Sequence, residues 1–263
     1  KSTTFEFPSY LREAGLVVLS RLLRVSRILS SLNICWSNVS GAGARVLAEA
    51  LKPNRTLTSL NLDNNNIGDA GVKALSEALE CKTALRCLSV CSNGVSDAGV
   101  QALAEALKLN RTLTSLNLEA NNICDGNAQA LAEALKRNSA LRSLCIQRNK
   151  LSDAGAQALA EGLKASRSLT SLNLARNNIG AAGAQALAET LKINCILTSL
   201  DLTFNDICVA GTVALADALK VNRHLTSLNV CCSKIPDAGA QALGEALKVN
   251  TALTSLDLSG NRI

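Results

Sequence analysis

The stretch Leu169–Ile196, LTSLNLARNNIGAAGAQALAETLKINCI, carries the plan of the whole chain. Its first leucine has counterparts at Leu29, Leu57, Leu85, Leu113, Leu141, Leu197, Leu225 and Leu253, so the same unit returns every 28 residues with no insertion. Counting that leucine as position 0, each unit runs Leu-x-x-Leu-x-Leu/Ile/Val-x-x-Asn-x-Ile/Val/Leu and then changes to a helical pattern. A fixed period in this range is the mark of a solenoid, in which each unit is completed by its neighbours.

In the unit that starts at Leu57, Leu60 and Leu62 alternate with Ser59, Asn61 and Asp63, the period of two that defines a half-buried strand. Asn65 and Ile67 close a turn. Asp69 then stands as the expected N-cap of a helix, with Asp97, Asp153 and Asp237 at the same position. Ala74, Leu75, Ala78 and Leu79 form one apolar helical stripe, with Glu77 outside. In other repeats a lysine follows that glutamate three residues on, as in Glu105 and Lys108, which suits both pairing and the helix dipole. An asparagine near the helix end (Asn110, Asn138, Asn194, Asn222, Asn250) is expected to stop the helix in a left-handed conformation.

One strand and one helix cannot bury these leucines alone. Each buried leucine is worth about 1.5–3 kcal/mol, and apolar ladders at positions 0, 3, 5, 18 and 22 make stacking obligatory. Stacked strands sit about 4.8 Å apart and packed helices about 8–10 Å. This mismatch turns each repeat by about 0.4 radian, and eight steps by about half a circle. The predicted fold is a right-handed α/β horseshoe, with parallel strands on the concave face and helices on the convex face. Its organisation reads as a degenerate N-terminal repeat or cap over residues 1–28, eight repeats over 29–252, and the start of a ninth, expected to be truncated, over 253–263. In the first segment Gly15, Leu19 and Leu23 keep the helical positions. Lys1, Thr4 and Glu6 stand where strand leucines are due, and Phe5, Phe7 and Tyr10 are candidates to cover the end of the stack.

LTSLNLxxNxI followed by GAxALAEALKxNxTL resembles the ribonuclease-inhibitor class of leucine-rich repeats, and most of all the uniform repeats at the C-terminal end of NOD-like receptors. The likeness spans residues 29–263. It implies a cytoplasmic innate-immune scaffold that binds a protein partner, including other domains of a longer chain. Repeats of this kind also occur in regulators resembling the Ran GTPase-activating proteins, so a GTPase-binding or GTPase-activating role is the alternative that the resemblance leaves open.

Composition narrows the field. A content of 48% hydrophobic but only 2% aromatic residues fits a core of leucine and alanine ladders. The net charge of +6 is spread without a Lys/Arg run or an aromatic-interleaved patch, which speaks against nucleic acid and against the acidic wall that a basic nuclease would need. No apolar run is long enough to span a membrane. The ten cysteines include no CxxC, and the repeat geometry offers no good disulfide pair: Cys231 and Cys232 are adjacent and expected to point to opposite sides. That pattern suggests free thiols in a reducing compartment. No cofactor or metal is called for, the single His224 has no nucleophile column beside it, and no phosphate-binding GxxxxGK[ST] loop occurs, so the chain does not read as an enzyme.

Positions that vary between repeats are where a partner has room to act. Position 2 is serine in nearly every repeat and position 4 mostly Asn or Asp, which marks them as structural. Positions 6 and 7 vary. Asp63 and Glu119 fall at position 6, and position 7 reads Trp36, Asn64, Ser92, Ala120, Arg148, Arg176, Phe204, Cys232, Gly260. Arg and aromatic residues dominate protein-binding hot spots, so the candidate site is the row Arg148, Arg176, Phe204, bordered by Glu119 and Lys150, with Trp36 serving either binding or end-capping. Two further features complete the expectations. Asn127 replaces the usual glycine of its helix, as asparagine would at a positive φ. Arg55, Arg111, Arg167 and Arg223 recur in alternate repeats, a pattern that reads as inherited decoration from a duplicated pair of repeats.

Overall fold

The computed structural model describes residues 3–6, 13–81 and 83–263. The chain divides into two compact units, Lys1–Asn122 with Asn138–Leu141, and Ile123–Arg137 with Arg142–Ile263. In the first, β1 (Thr3–Glu6), α1 (Glu13–Val25), β2 (Leu29–Asn33), α2 (Gly41–Leu51), β3 (Ser59–Asn61), α3 (Gly68–Glu80), β4 (Cys87–Ser89), α4 (Asp97–Leu109) and β5 (Ser115–Asn117) alternate. The second contains α5 (Asp125–Arg137), β6 (Ser143–Cys145), α6 (Asp153–Ala165), β7 (Ser171–Asn173), α7 (Ala181–Leu191), β8 (Ser199–Asp201), α8 (Cys208–Val221), β9 (Ser227–Asn229), α9 (Asp237–Leu247) and β10 (Ser255–Asp257).

Within each unit successive strands pair in parallel. From β2 to β5 and from β6 to β10 they keep the 28-residue register, for example Leu32↔Leu60 and Leu172↔Leu200. The β1 strand departs from it. A register shift between Thr3 and Thr4 sets Phe5, not Thr4, opposite Leu32 and puts Glu6 opposite Asn33. Lys1, Phe7 and Tyr10, also invoked for this end, lie outside the described residues.

The predicted ladders form the core. Leu172, Leu174, Leu187 and Leu191 are all at most 2% exposed, as are Leu60, Leu62, Leu75 and Leu79 in the first unit. At the chain's end Leu253, Leu256 and Leu258 are only half-buried, since no strand is stacked beyond β10.

Buried polar side chains tie one repeat to the next. The asparagine at position 8 is the main one. Asn177 accepts from Leu151 N–H (3.1 Å) and donates to the carbonyls of Ile146 (3.1 Å), Leu174 (3.0 Å) and Ala175 (3.3 Å). The helix-end asparagines do comparable work, and they are not left-handed as expected. Asn222 is extended at φ −69, ψ 135. Its Oδ1 accepts from His224 and Leu225 N–H while its Nδ2 reaches back to the Leu191 carbonyl at 2.7 Å. Asn54 repeats this with Leu23 in the first unit. A side chain that closes two helix ends at once outweighs the local cap that the sequence suggested.

The aspartates behave similarly. Asp69 and Asp153 sit inside the first turn of their own helices, where the dipole favours them. Their carboxylates cap the following helix instead of their own: Asp69 accepts from Ser96 N–H (2.7 Å) and Oγ–H (2.6 Å), and Asp153 from Gly180 (2.6 Å) and Gly183 (2.8 Å) N–H. Glycine at position 14 answers a close approach: a Cβ on Gly183 would lie 2.8 Å from Ile179 Cγ2 and 2.9 Å from Ala156 Cβ. Asn127, at the same position, is helical and has no positive φ. It is buried, and its Oδ1 accepts from Cys124 N–H at 3.0 Å, a cap for its own helix. The alternating arginines have a role as well. Arg55, Arg111 and Arg223 donate from Nη1 to the carbonyls of Lys52, Lys108 and Lys220 at 2.6–3.0 Å, covering helix C-termini that lack internal donors.

Candidate functional site

After β2, β3 and β4, and again after β6, β7, β8 and β9, the chain makes one more inter-repeat bond at position 7. Arg148 N–H donates to Ala175 O, Arg176 to Thr203 O, Phe204 to Cys231 O and Cys232 to Ser259 O, at 2.7–2.9 Å. The next residue, the buried asparagine, must point back inward (a serine, Ser233, after Cys232), and a plain strand would turn it outward. A left-handed residue at position 7 resolves the conflict. Trp36, Asn64, Ser92, Ala120, Arg148, Arg176, Phe204 and Cys232 have φ between 52° and 56°, and Gly260 has 67°. The position-4 residues brace the same turn from the strand: Asn173 Oδ1 accepts from Ala175 N–H and Asp201 Oδ1 from Thr203 N–H.

The backbone at position 7 therefore favours glycine or asparagine, as at Gly260 and Asn64. A side chain there costs about 1–2 kcal/mol, and for bulky residues a positive φ is an outlier. The sequence nevertheless holds Trp, Arg, Arg and Phe in this column.

In the second unit Arg176 and Phe204 meet. The guanidinium carbon lies 4.1 Å from the ring centroid, a stacked cation–π pair worth about 0.5–1 kcal/mol when exposed. Phe204 remains 44% exposed with the arginine over one face. Arg148, Arg176 and Lys150 are exposed. Beyond Phe204 the row continues with the smaller Cys232 and Gly260. Two residues after Phe204, Asp206 Oδ2 pairs with Lys234 Nζ at 2.6 Å, while the Cys208 thiol donates to Asp206 Oδ1. That thiol first, and then the ammonium, hold the Asp206 carboxyl below its ordinary range. The same hydrogen bond pushes the Cys208 thiol up.

The remaining candidates lie in the first unit. Trp36 is 66% exposed at position 7 of the first full repeat. Asp63 is half-buried and committed to the next repeat, accepting from Ser89 Oγ–H (2.5 Å) and Cys91 N–H (2.8 Å). Glu119 is half-buried, and its carbonyl accepts from Ser92 N–H. His224 is exposed. All ten cysteines are unbridged. Cys231 and Cys232 do not point apart: the left-handed turn at Cys232 breaks the strand alternation and brings their sulfurs to 3.3 Å. Among the described residues no cluster of three His, Cys, Asp or Glu is placed to hold a metal, and no helix is long and apolar enough to cross a membrane.

A stack of strand–helix repeats whose strand ends carry an exposed, variable row is the architecture of a repeat scaffold. The family profile described as Leucine Rich repeat matches residues 54–76, 82–104, 109–132, 137–160, 165–188, 194–216, 221–244 and 249–263. The chain belongs to the leucine-rich repeat family. Among solved structures it is similar to leiomodin-1 actin-binding site 2, at 25% identity and a TM-score of 0.50 over 55% of this chain and 85% of that one. It is also similar to a chain of the Rad7 and Elc1 complex of yeast, at 19% identity and a TM-score of 0.53 over 98% of this chain and 69% of that one. No curated protein matches the sequence significantly.

Proposed function

We propose that this chain is a non-catalytic scaffold whose strand-end rim docks a protein partner, and that Arg176 and Phe204 are the centre of the contact. The observation that carries the reading is the left-handed column. Bulky Arg and Phe side chains occupy backbone sites that favour glycine, remain exposed, and at Arg176 and Phe204 stack on each other. Strain kept at an exposed position points to use of the side chain. The likeness to a repeat structure named for an actin-binding site supports a protein as the ligand class. We extend the reading to the sensing or autoinhibitory repeat region of a NOD-like receptor, where the partner is a folded domain of the same receptor. Its support is the uninterrupted 28-residue strand–helix unit.

The test is a photo-crosslinking residue at position 204 compared with one at Gln157, an exposed helix residue. A protein adduct formed at 204, absent at 157 and lost on Arg176→Glu is the expected result, and a nucleotide-binding domain in the adduct supports the receptor reading. Equal adducts at both sites, or an adduct indifferent to Arg176→Glu, would sink the docking proposal. A small GTPase in the adduct would replace the receptor reading.

A further inference from the structure

The pair at Cys231 and Cys232 goes beyond this reading. We infer that these two thiols form a preorganised chelating site for trivalent arsenic and arsenicals, a pyramidal thiophilic centre held by two sulfurs. Successive side chains of a strand point to opposite faces. Here Cys232 adopts φ 52° and the two Sγ atoms stand 3.3 Å apart.

The loop that holds them is tied through both backbone groups of Cys231 and the N–H of Cys232. Cys231 N–H donates to Asn229 Oδ1 at 3.0 Å, its carbonyl accepts from Phe204 N–H and Ser233 Oγ–H, and Cys232 N–H donates to Ser259 O. Both side chains are half-exposed. Gly260 stands next in the row, where a Cβ would overlap the Cys232 sulfur, so the glycine keeps the thiol's place open.

The sulfur separation selects among thiol ligands. Two bonds of about 2.3 Å to one atom, meeting at close to a right angle, span about 3.3 Å. Tetrahedral zinc would want about 3.8 Å and four ligands, and among the described residues there is no third ligating group. A disulfide is disfavoured too. It needs sulfurs about 2 Å apart on Cα atoms usually more than about 4.4 Å apart, whereas adjacent residues are held at about 3.8 Å.

The reaction balances without an oxidant. A hydrated arsenical R–As(OH)2 exchanges both hydroxyls: two As–S bonds form, two As–O bonds break, and each thiol proton leaves with a hydroxyl as water. Positions 6 and 7 of an earlier repeat supply the comparison, because Cys91 and Ser92 stand there with Sγ and Oγ 3.4 Å apart. Cys232→Ser turns the dithiol into that one-sulfur pair.

Phenylarsine oxide is the probe. The reduced intact chain should retain one equivalent in the presence of excess mercaptoethanol and release it to ethanedithiol. Proteolytic mapping should place the adduct on the peptide containing residues 231 and 232. Cys231→Ser and Cys232→Ser should each weaken retention by at least about tenfold, the loss of the second, intramolecular bond, with circular dichroism unchanged. Failure to retain the probe, an adduct mapped elsewhere in the wild-type chain, or equal retention by either folded serine variant would overturn the assignment.

Discussion

Arg176 and Asn177 are neighbours in sequence and opposites in role. Asn177 is 7% exposed and makes four hydrogen bonds that lace two consecutive repeats together. Arg176 is exposed, and its described side-chain contact is the ring of Phe204. The first column is uniform because the side chain is fixed by the stack. The second varies because the stack fixes only its backbone. Uniformity between repeats thus reports inter-repeat bonding, and variation reports a site where geometry is imposed and chemistry is left free.

The contrast breaks most readily at the uniform column. Asn177→Ala leaves the Leu151 N–H unpaired in the interior, while the Ile146 carbonyl keeps Asn149 Nδ2 as a donor, and should cost about 2 kcal/mol in urea unfolding; a loss below about 1 kcal/mol would mean the lacing is not what enforces asparagine. Glycine offers the next test. Gly183→Ala forces a Cβ against Ile179 and Ala156 and should cost about 2 kcal/mol. Gly244→Ala, in mid-helix with nothing within 4 Å, should instead gain up to about 1 kcal/mol.

The variable column should respond in the other direction. Ala120→Gly relieves a left-handed residue and should raise stability by up to about 1 kcal/mol, partly offset by the freer unfolded chain. If it destabilises, the strain argument for Arg176 and Phe204 fails with it. The smallest effect belongs to Asp206. Its carboxyl is held below the ordinary aspartate range, so its bonds to Cys208 and Lys234 persist above the unfolded value and are lost as pH falls through the folded one. Because the pair is exposed, Asp206→Asn should leave overall stability near that of the wild type. The carboxyl's NMR titration should nevertheless lie below that of an unpaired aspartate.

Leu169–Ile196 made the alternation of strand and helix, the 28-residue register and the buried leucine ladders legible, because burial repeats with the period of the backbone. Polar residues were harder. Asp69 and Asn222 each looked like a local helix signal, yet they bond across 27 to 31 residues, and Arg223, read as inherited decoration, covers the helix behind it. The sign of φ at position 7 was hinted at by Asn64 and Gly260 in that column. Arg, Trp and Phe beside them hid it, and with it the meeting of Cys231 and Cys232.

Sequence by itself determined the repeat, its length and the identity of the core, since period and hydrophobicity are properties of the chain alone. Only the tertiary structure decided which atoms each polar side chain reaches, and that the strand ends turn left-handed. Those choices depend on the donors and acceptors that a neighbouring repeat presents, and no single repeat contains them.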